Sequence, residues 1–308
     1  MPDILIENSK KHLEGIKSVP GVENVVLLQR DGYPITSSGV WFSEDEIFGV
    51  SAAAAAILSV AQRLHNDLSY ILIEGERNKF LLATLPRATD FYLMVTTQNH
   101  VNLGAMLLQL EKTTIHLDEL LWKEDFVPPL RAFKNAERHA ISQAFDVHSH
   151  HQSQWSTGAL NITITQNAAS QINAIVNEFL ATIPSARTGI VCLDGGYLIP
   201  AQHTGEGSAL RETTLTYTLF DTSRKVAQLV KRTGIMQVLC DCKREQHFIY
   251  SLAGGLFSTA ISKDGAKLGL LRLVIPNFIM EIETVLQRPP PTRRPTLDVE
   301  GLIEAIAR

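Results

Sequence analysis

The stretch Val19–Ile35 reads VPGVENVVLLQRDGYPI. A Val-Pro-Gly entry leads into the apolar run Val25–Leu28. An Asp31-Gly32 corner follows, and a second extended run starts at Tyr33. Asp-Gly between two apolar runs signals a hairpin, because glycine reaches positive φ without a Cβ clash. The stretch returns as Ile183–Ile199, IPSARTGIVCLDGGYLI. Pro20 pairs with Pro184, Gly32 with Gly196, Tyr33 with Tyr197 and Ile35 with Ile199 at one constant separation. The chain therefore reads as two copies of one domain.

The bulk composition allows this. A length of 308 residues suits about two domains with cores of their own. With 45% apolar and 19% charged residues the chain has a globular composition. A net charge of −4 leaves no basic footprint for nucleic acid or an anionic membrane. The longest apolar run, Val50–Val60, falls short of the roughly 20 residues that cross a bilayer, so no membrane insertion is expected. MPDILIENSKKH at the N-terminus lacks the basic segment and apolar core of a leader. Three cysteines, Cys192, Cys240 and Cys242, fit reduced thiols and a cytoplasmic location.

In the first copy, residues 1–121, an amphipathic helix is expected over Ile4–Ile16, stopped by Pro20-Gly21, then strands near Asn24–Arg30 and Tyr33–Ser38. Ser43 and Glu46 form a capping-box pattern for a helix running to about Asn66. Its Ala52–Ala56 run either packs tightly in a core or meets a second helix across an interface. Strands are expected over Tyr70–Glu74, Lys79–Leu85 and Phe91–Thr97, and Asn102-Leu103-Gly104 opens a helix to about Leu121. This order gives an α+β fold, a five-stranded antiparallel sheet with packed helices.

Residues 122–168 belong to neither copy. Leu130–Phe145 has a helical pattern, and His148, His150 and His151 sit in a polar, His-rich linker. Imidazoles there invite a metal reading, but a structural zinc site needs four ligands on a fixed frame. A solvated linker is the expectation, with no metal and no cofactor. The second copy, residues 169–287, repeats the order: a helix from Ala169, strands at Thr188–Leu193 and Tyr197–Gln202, and a helix over Leu210–Arg232. Strands follow at Met236–Cys242, His247–Leu252 and Leu256–Ser262. The threonines Thr213, Thr214, Thr216 and Thr218 leave the start of that helix open. Lys267-Leu268-Gly269 opens a last helix, and Gly104 and Gly269 differ by one residue more than the hairpin pairs. Pro276 should kink it. Residues 288–308 are a Pro-rich spacer and a short apolar-patterned segment with Leu297, Leu302, Ile303 and Ile306, either frayed or docked on the chain or on a partner.

The two turns, the alanine-rich helix and the Asn102-Leu103-Gly104 start resemble the roadblock (dynein light-chain) family, twice over. The resemblance implies a non-catalytic scaffold that regulates Ras-like small GTPases or serves a motor. It also implies that the third strands join edge to edge while the central helices pack together. The seam would then involve Tyr70, Leu72 and Glu74 with Gln237, Leu239 and Asp241. Ala54 and Ala55 would lie against the Thr216–Val226 helix. The chain would be a pseudo-dimer, with further homo-oligomerisation open.

No phosphate-binding loop, dinucleotide fingerprint, His-Glu-x-x-His or Gly-x-Ser-x-Gly occurs. Asp194 reads as a turn residue, Cys240 and Cys242 as a buried pair, and Arg30 and Arg77 as solvated rather than as arginine fingers. Alternatives to the GTPase scaffold are a ligand-binding sensor and a purely structural subunit. A cavity with converging polar groups would favour the sensor.

Overall fold

The structure is a computed structural model that describes residues 2–39, 44–123, 164–194, 197–203, 209–229, 234–264 and 268–287. The first half runs α1 (Pro2–Lys17), β1 (Val22–Gln29), β2 (Pro34–Gly39), α2 (Glu44–Leu64), β3 (Leu68–Gly75), β4 (Asn78–Thr84), β5 (Phe91–Gln98) and α3 (Leu103–Lys123). The second runs α4 (Gln166–Thr182), β6 (Thr188–Leu193), β7 (Tyr197–His203), α5 (Ala209–Leu229), β8 (Ile235–Cys242), β9 (Glu245–Leu252), β10 (Gly255–Ser262) and α6 (Leu268–Leu286). The expected elements lie within a few residues of these bounds. Ser43, the linker histidines, the Leu130–Phe145 segment and the C-terminal apolar residues lie outside the described residues, as do Gly195, Gly196 and Lys267.

The ten strands form one antiparallel sheet in the order β2-β1-β5-β4-β3-β8-β9-β10-β6-β7. Reading outward from the β3–β8 centre gives the same sequence of strands in both directions. The α+β architecture read from the sequence is the one observed.

Both faces of the sheet are covered, which is why the strands are nearly continuous apolar runs rather than alternating ones. In β1, Val25 and Leu27 enter one core while Val26 and Leu28 enter the other. One face carries α1 with α3 and α4 with α6; the other carries α2 with α5. Each core contains residues from both halves. Glu46–Leu64 has the length and mean hydropathy, 1.6, of a membrane span, but its apolar side chains are part of the core beneath α5.

The Asp31-Gly32 corner is structural. Gly32 has φ of 90°, and a Cβ there would stand 2.6 Å from Cα of Ala52 in α2. Asp31 Oδ1 accepts the Tyr33 N–H at 3.0 Å, fixing the turn. The threonines of α5 do not delay its start. Thr213, Thr214, Thr218 and Thr222 each donate a hydroxyl hydrogen bond to the carbonyl four residues back, whereas the buried Thr216 hydroxyl has no hydrogen-bond partner among the described residues. The last helix runs through Pro276 as one element.

Candidate functional interface

The middle of the sheet is where the two halves meet. β3 pairs antiparallel with β8, with Tyr70 opposite Asp241, Leu72 opposite Leu239 and Glu74 opposite Gln237. The intervening residues Ile71, Ile73, Val238 and Cys240 point to the other face. There they lie beneath α2 and α5, which pack on each other. Ala54 and Ala55 share that core with Leu219 and Phe220 of α5. Aligning Leu103-Gly104 with Leu268-Gly269, and α2 with α5 at the same separation, sets Ala54 and Ala55 at the positions of Leu219 and Phe220. A small run in one helix is thus matched by bulk in the other.

The opposite face of the seam is polar at both ends and apolar in the middle, where Leu72 and Leu239 are each 1% exposed. At one end Glu74 is buried and saturated. Lys79 Nζ donates to its Oε2 at 2.8 Å, Gln237 donates to Oε1 at 2.7 Å, and the Arg272 guanidinium of α6 also contacts Oε1. Burial alone would raise this carboxyl, but the Lys79 hydrogen bond and the Arg272 and Lys79 charges outweigh it and hold Glu74 below the usual range. Tyr250 lies beside this group, and burial pushes its hydroxyl up to about 12. At the other end Asp241 accepts from Gln246 at 2.9 Å and from Lys263 at 2.8 Å. Burial, with the Asp241 charge, pushes the Tyr70 hydroxyl upward.

A third polar group joins the halves on the α2–α5 face. His65, just after α2, approaches His247 of β9 with Nε2 and Nδ1 2.8 Å apart, and its Nδ1 lies 3.2 Å from Glu245. A neutral His65 that donates to Glu245 accepts from His247 Nδ1, which leaves His247 Nε2 as a bare acceptor. That nitrogen has no hydrogen-bond partner among the described residues. Burial, then the neighbouring His65, holds His247 well below the ordinary histidine value. The hydrogen bond from His65, against an opposing effect of burial, keeps Glu245 below the usual carboxylate range.

Of the residues considered for chemistry, Cys240 and Cys242 sit on the seam strand β8, while Cys192, Asp194 and Arg30 lie away from it. Asp194 is exposed, and its N–H donates to the Gly254 carbonyl at 2.9 Å, continuing the β6–β10 ladder past Leu193 and Gly255. All three cysteines are free and buried, and burial pushes Cys192 up to about 11 and Cys240 up to about 12, far from a reactive thiolate. Arg30 and Arg77 are exposed at the turns after β1 and β3. Among the described residues no cluster of three or more metal-ligating side chains occurs. Sequence reasoning did not pick out Arg272, Lys79, Tyr250, Lys263, His65, Glu245 or His247. Only Lys79, close to Glu74 along a hairpin, left a local signal.

Residues 9–97 match the family model of the Roadblock/LC7 domain. No curated protein matches the chain. Among solved structures, a Roadblock/LC7 domain from Streptomyces avermitilis is 16% identical and covers 36% of this chain and 96% of its own, with a TM-score of 0.34. MglB in a tetrameric arrangement is 14% identical over 40% of this chain and 93% of its own, with a TM-score of 0.35. Myxococcus xanthus MglB is 16% identical over 40% and 96%, with a TM-score of 0.33.

Proposed function

We propose that the chain is a non-catalytic cytoplasmic scaffold that binds and regulates a Ras-like small GTPase, with two roadblock domains joined into an internal pseudo-dimer. The observation that carries this reading is the β3–β8 pairing with α2 and α5 side by side above it. It is the arrangement that the roadblock resemblance implies for a dimer. The family match over residues 9–97 supports the first domain. The mirrored strand order supports the second. Pairing β3 with β8 satisfies two rows of backbone groups that would otherwise be exposed strand edges, so the chain does not need a second copy to close its central seam.

In this reading the buried side chains of the seam hold two halves in one register, and the surface spanning both halves receives the GTPase. The test is retention of purified Ras-like GTPases, loaded with GDP or a GTP analogue, on the immobilised full chain. Nucleotide-dependent retention is expected, and the hydrolysis rate of the retained GTPase gives the direction of regulation. Absence of retention in both nucleotide states would overturn the proposal.

A further inference from the structure

The seam is nearly two-fold symmetric about Leu72 and Leu239, so its two ends can be compared position by position. The symmetry that exchanges β3 and β8 places Tyr70 on Gln237 and Glu74 on Asp241. It places Ala83, opposite Tyr70, on Tyr250, opposite Gln237. It also places Lys79, opposite Glu74, on Gln246, opposite Asp241. Aligning α3 with α6 from Leu103 and Leu268 matches buried Met106 with Leu271, Leu110 with Ile275 and Leu117 with Ile282. In that alignment Leu107 stands where α6 has Arg272.

Arg272 and Tyr250 at one end thus stand against Leu107 and Ala83 at the other, while Tyr70 at that other end stands against Gln237. Arg272 contacts Glu74 with Tyr250 beside them, and Leu107 and Ala83 line one cavity with Asp241. A cavity of about 630 Å³ lies at this end of the seam, lined by Tyr70, Ala83, Leu107 and Asp241 and reaching Gln62 of α2 and Tyr92 of β5. This volume lies within the range of small-molecule sites, roughly 300–1,000 Å³. The charge balance changes with the shape. Glu74 faces two cations, Lys79 and Arg272, whereas among the described residues Asp241 has one ion pair, with Lys263. The wall adds Asp67 and Glu111 against one lysine, Lys243.

We propose that the Tyr70–Asp241 end of the seam binds a small organic cation, an amine or guanidinium carried on an aromatic or apolar body. Such a ligand supplies what Arg272 and Tyr250 supply at the opposite end: a positive head for the carboxylate and apolar bulk against Leu107 and Ala83. The site spans both halves, with Tyr70 from β3 and Asp241 from β8, and it does not depend on GTPase binding.

The experiment is calorimetric titration and thermal denaturation of the full chain with two probes, tyramine and agmatine. The control is 4-ethylphenol, which is tyramine without its amine. About 0.15 M salt screens unspecific attraction to the acidic chain. Saturable binding of at least one cation is expected, at least tenfold tighter than the neutral control and with a raised Tm. Leu107→Arg, which places on α3 the guanidinium that α6 carries, is expected to abolish binding. Asp241→Asn is expected to weaken it at least tenfold, and covers the case in which Leu107→Arg does not fold. Failure of both cations to bind, equal binding of 4-ethylphenol, or unchanged affinity in a folded Leu107→Arg or Asp241→Asn chain would overturn the proposal.

Discussion

His247 is fully buried between the two halves, and it can stay there only while neutral. Among the described residues its ring is hydrogen-bonded to His65, whose other nitrogen faces Glu245; Arg187 lies beyond, 3.7 Å from Glu245. A histidine whose folded value is lowered binds fewer protons folded than unfolded. Its contribution is therefore complete above the ordinary value of 6.5 and is lost progressively as pH falls from 6.5 toward the folded value. Urea midpoints measured from about pH 7.5 down to about pH 5.5 should therefore fall. His247→Leu, which removes the titrating ring, should flatten that dependence even if it lowers stability throughout. An unchanged slope in the variant would exclude His247 as the source. The lowered carboxyls Glu74 and Glu245 act in a separate window: their stabilisation is present above the ordinary carboxylate value and is lost at more acid pH. None of the histidine arrangement could be read from the sequence, since His65 and His247 stand 182 residues apart and neither belongs to a motif. The same holds for Arg272 and Glu74, 198 residues apart. By contrast Tyr70, Leu72 and Glu74 alternate along a short strand, so their common face was legible from period two alone.

Among the helices, α2 shows how far a pattern goes. The run Ala52–Ala56 by itself left open a tight core or a second helix, the resemblance pointed to the Thr216–Val226 helix, and α2 packs on α5. Ala53, Ala54 and Ala55 are buried against a core that contains Leu219, Phe220 and Val226. The absence of an alanine run from the second copy is the other half of the same fit: two bulky helices could not approach as closely, and two alanine-rich ones would leave voids. Ala54→Leu should therefore overpack this contact and destabilise the chain by about 1–3 kcal/mol, read as a lowered urea midpoint. Leu219→Ala alone should leave a cavity and cost about 2–5 kcal/mol. The Ala54→Leu and Leu219→Ala pair together should recover part of the loss. Strict additivity of the two single changes would show that these positions do not share a packing surface.

At the scale of the whole molecule, the decisive feature is that both cores cross the seam. Leu72 and Leu239 belong to one core and Ile71, Ile73, Val238 and Cys240 to the other. The halves therefore share their interiors as well as one strand pair. The duplication was legible because the hairpin Val19–Ile35 recurs at Ile183–Ile199, and the pairing of the third strands is what the roadblock resemblance implies. The asymmetry between the ends of the seam was not legible, because it depends on side chains from α3 and α6 reaching over strands distant in sequence. A shared interior makes a sharp demand on the centre of the seam. Leu72→Glu places a carboxylate where the wild-type side chain is 1% exposed and its cross-strand partner is Leu239. The cations of the region, Lys79 and Arg272, are already engaged by Glu74. An unpaired buried charge costs about 3–5 kcal/mol, and here the cheapest escape is to open β3 from β8 and expose both edges. The expected outcome is a lower Tm together with a larger hydrodynamic radius, or aggregation through the freed strand edges, measured by scanning calorimetry and size exclusion with light scattering. Leu72→Met, which keeps volume and polarity, should cost less than about 1.5 kcal/mol and leave the radius unchanged. A Leu72→Glu chain with wild-type Tm and radius would mean that the two halves are held together without the β3–β8 pairing.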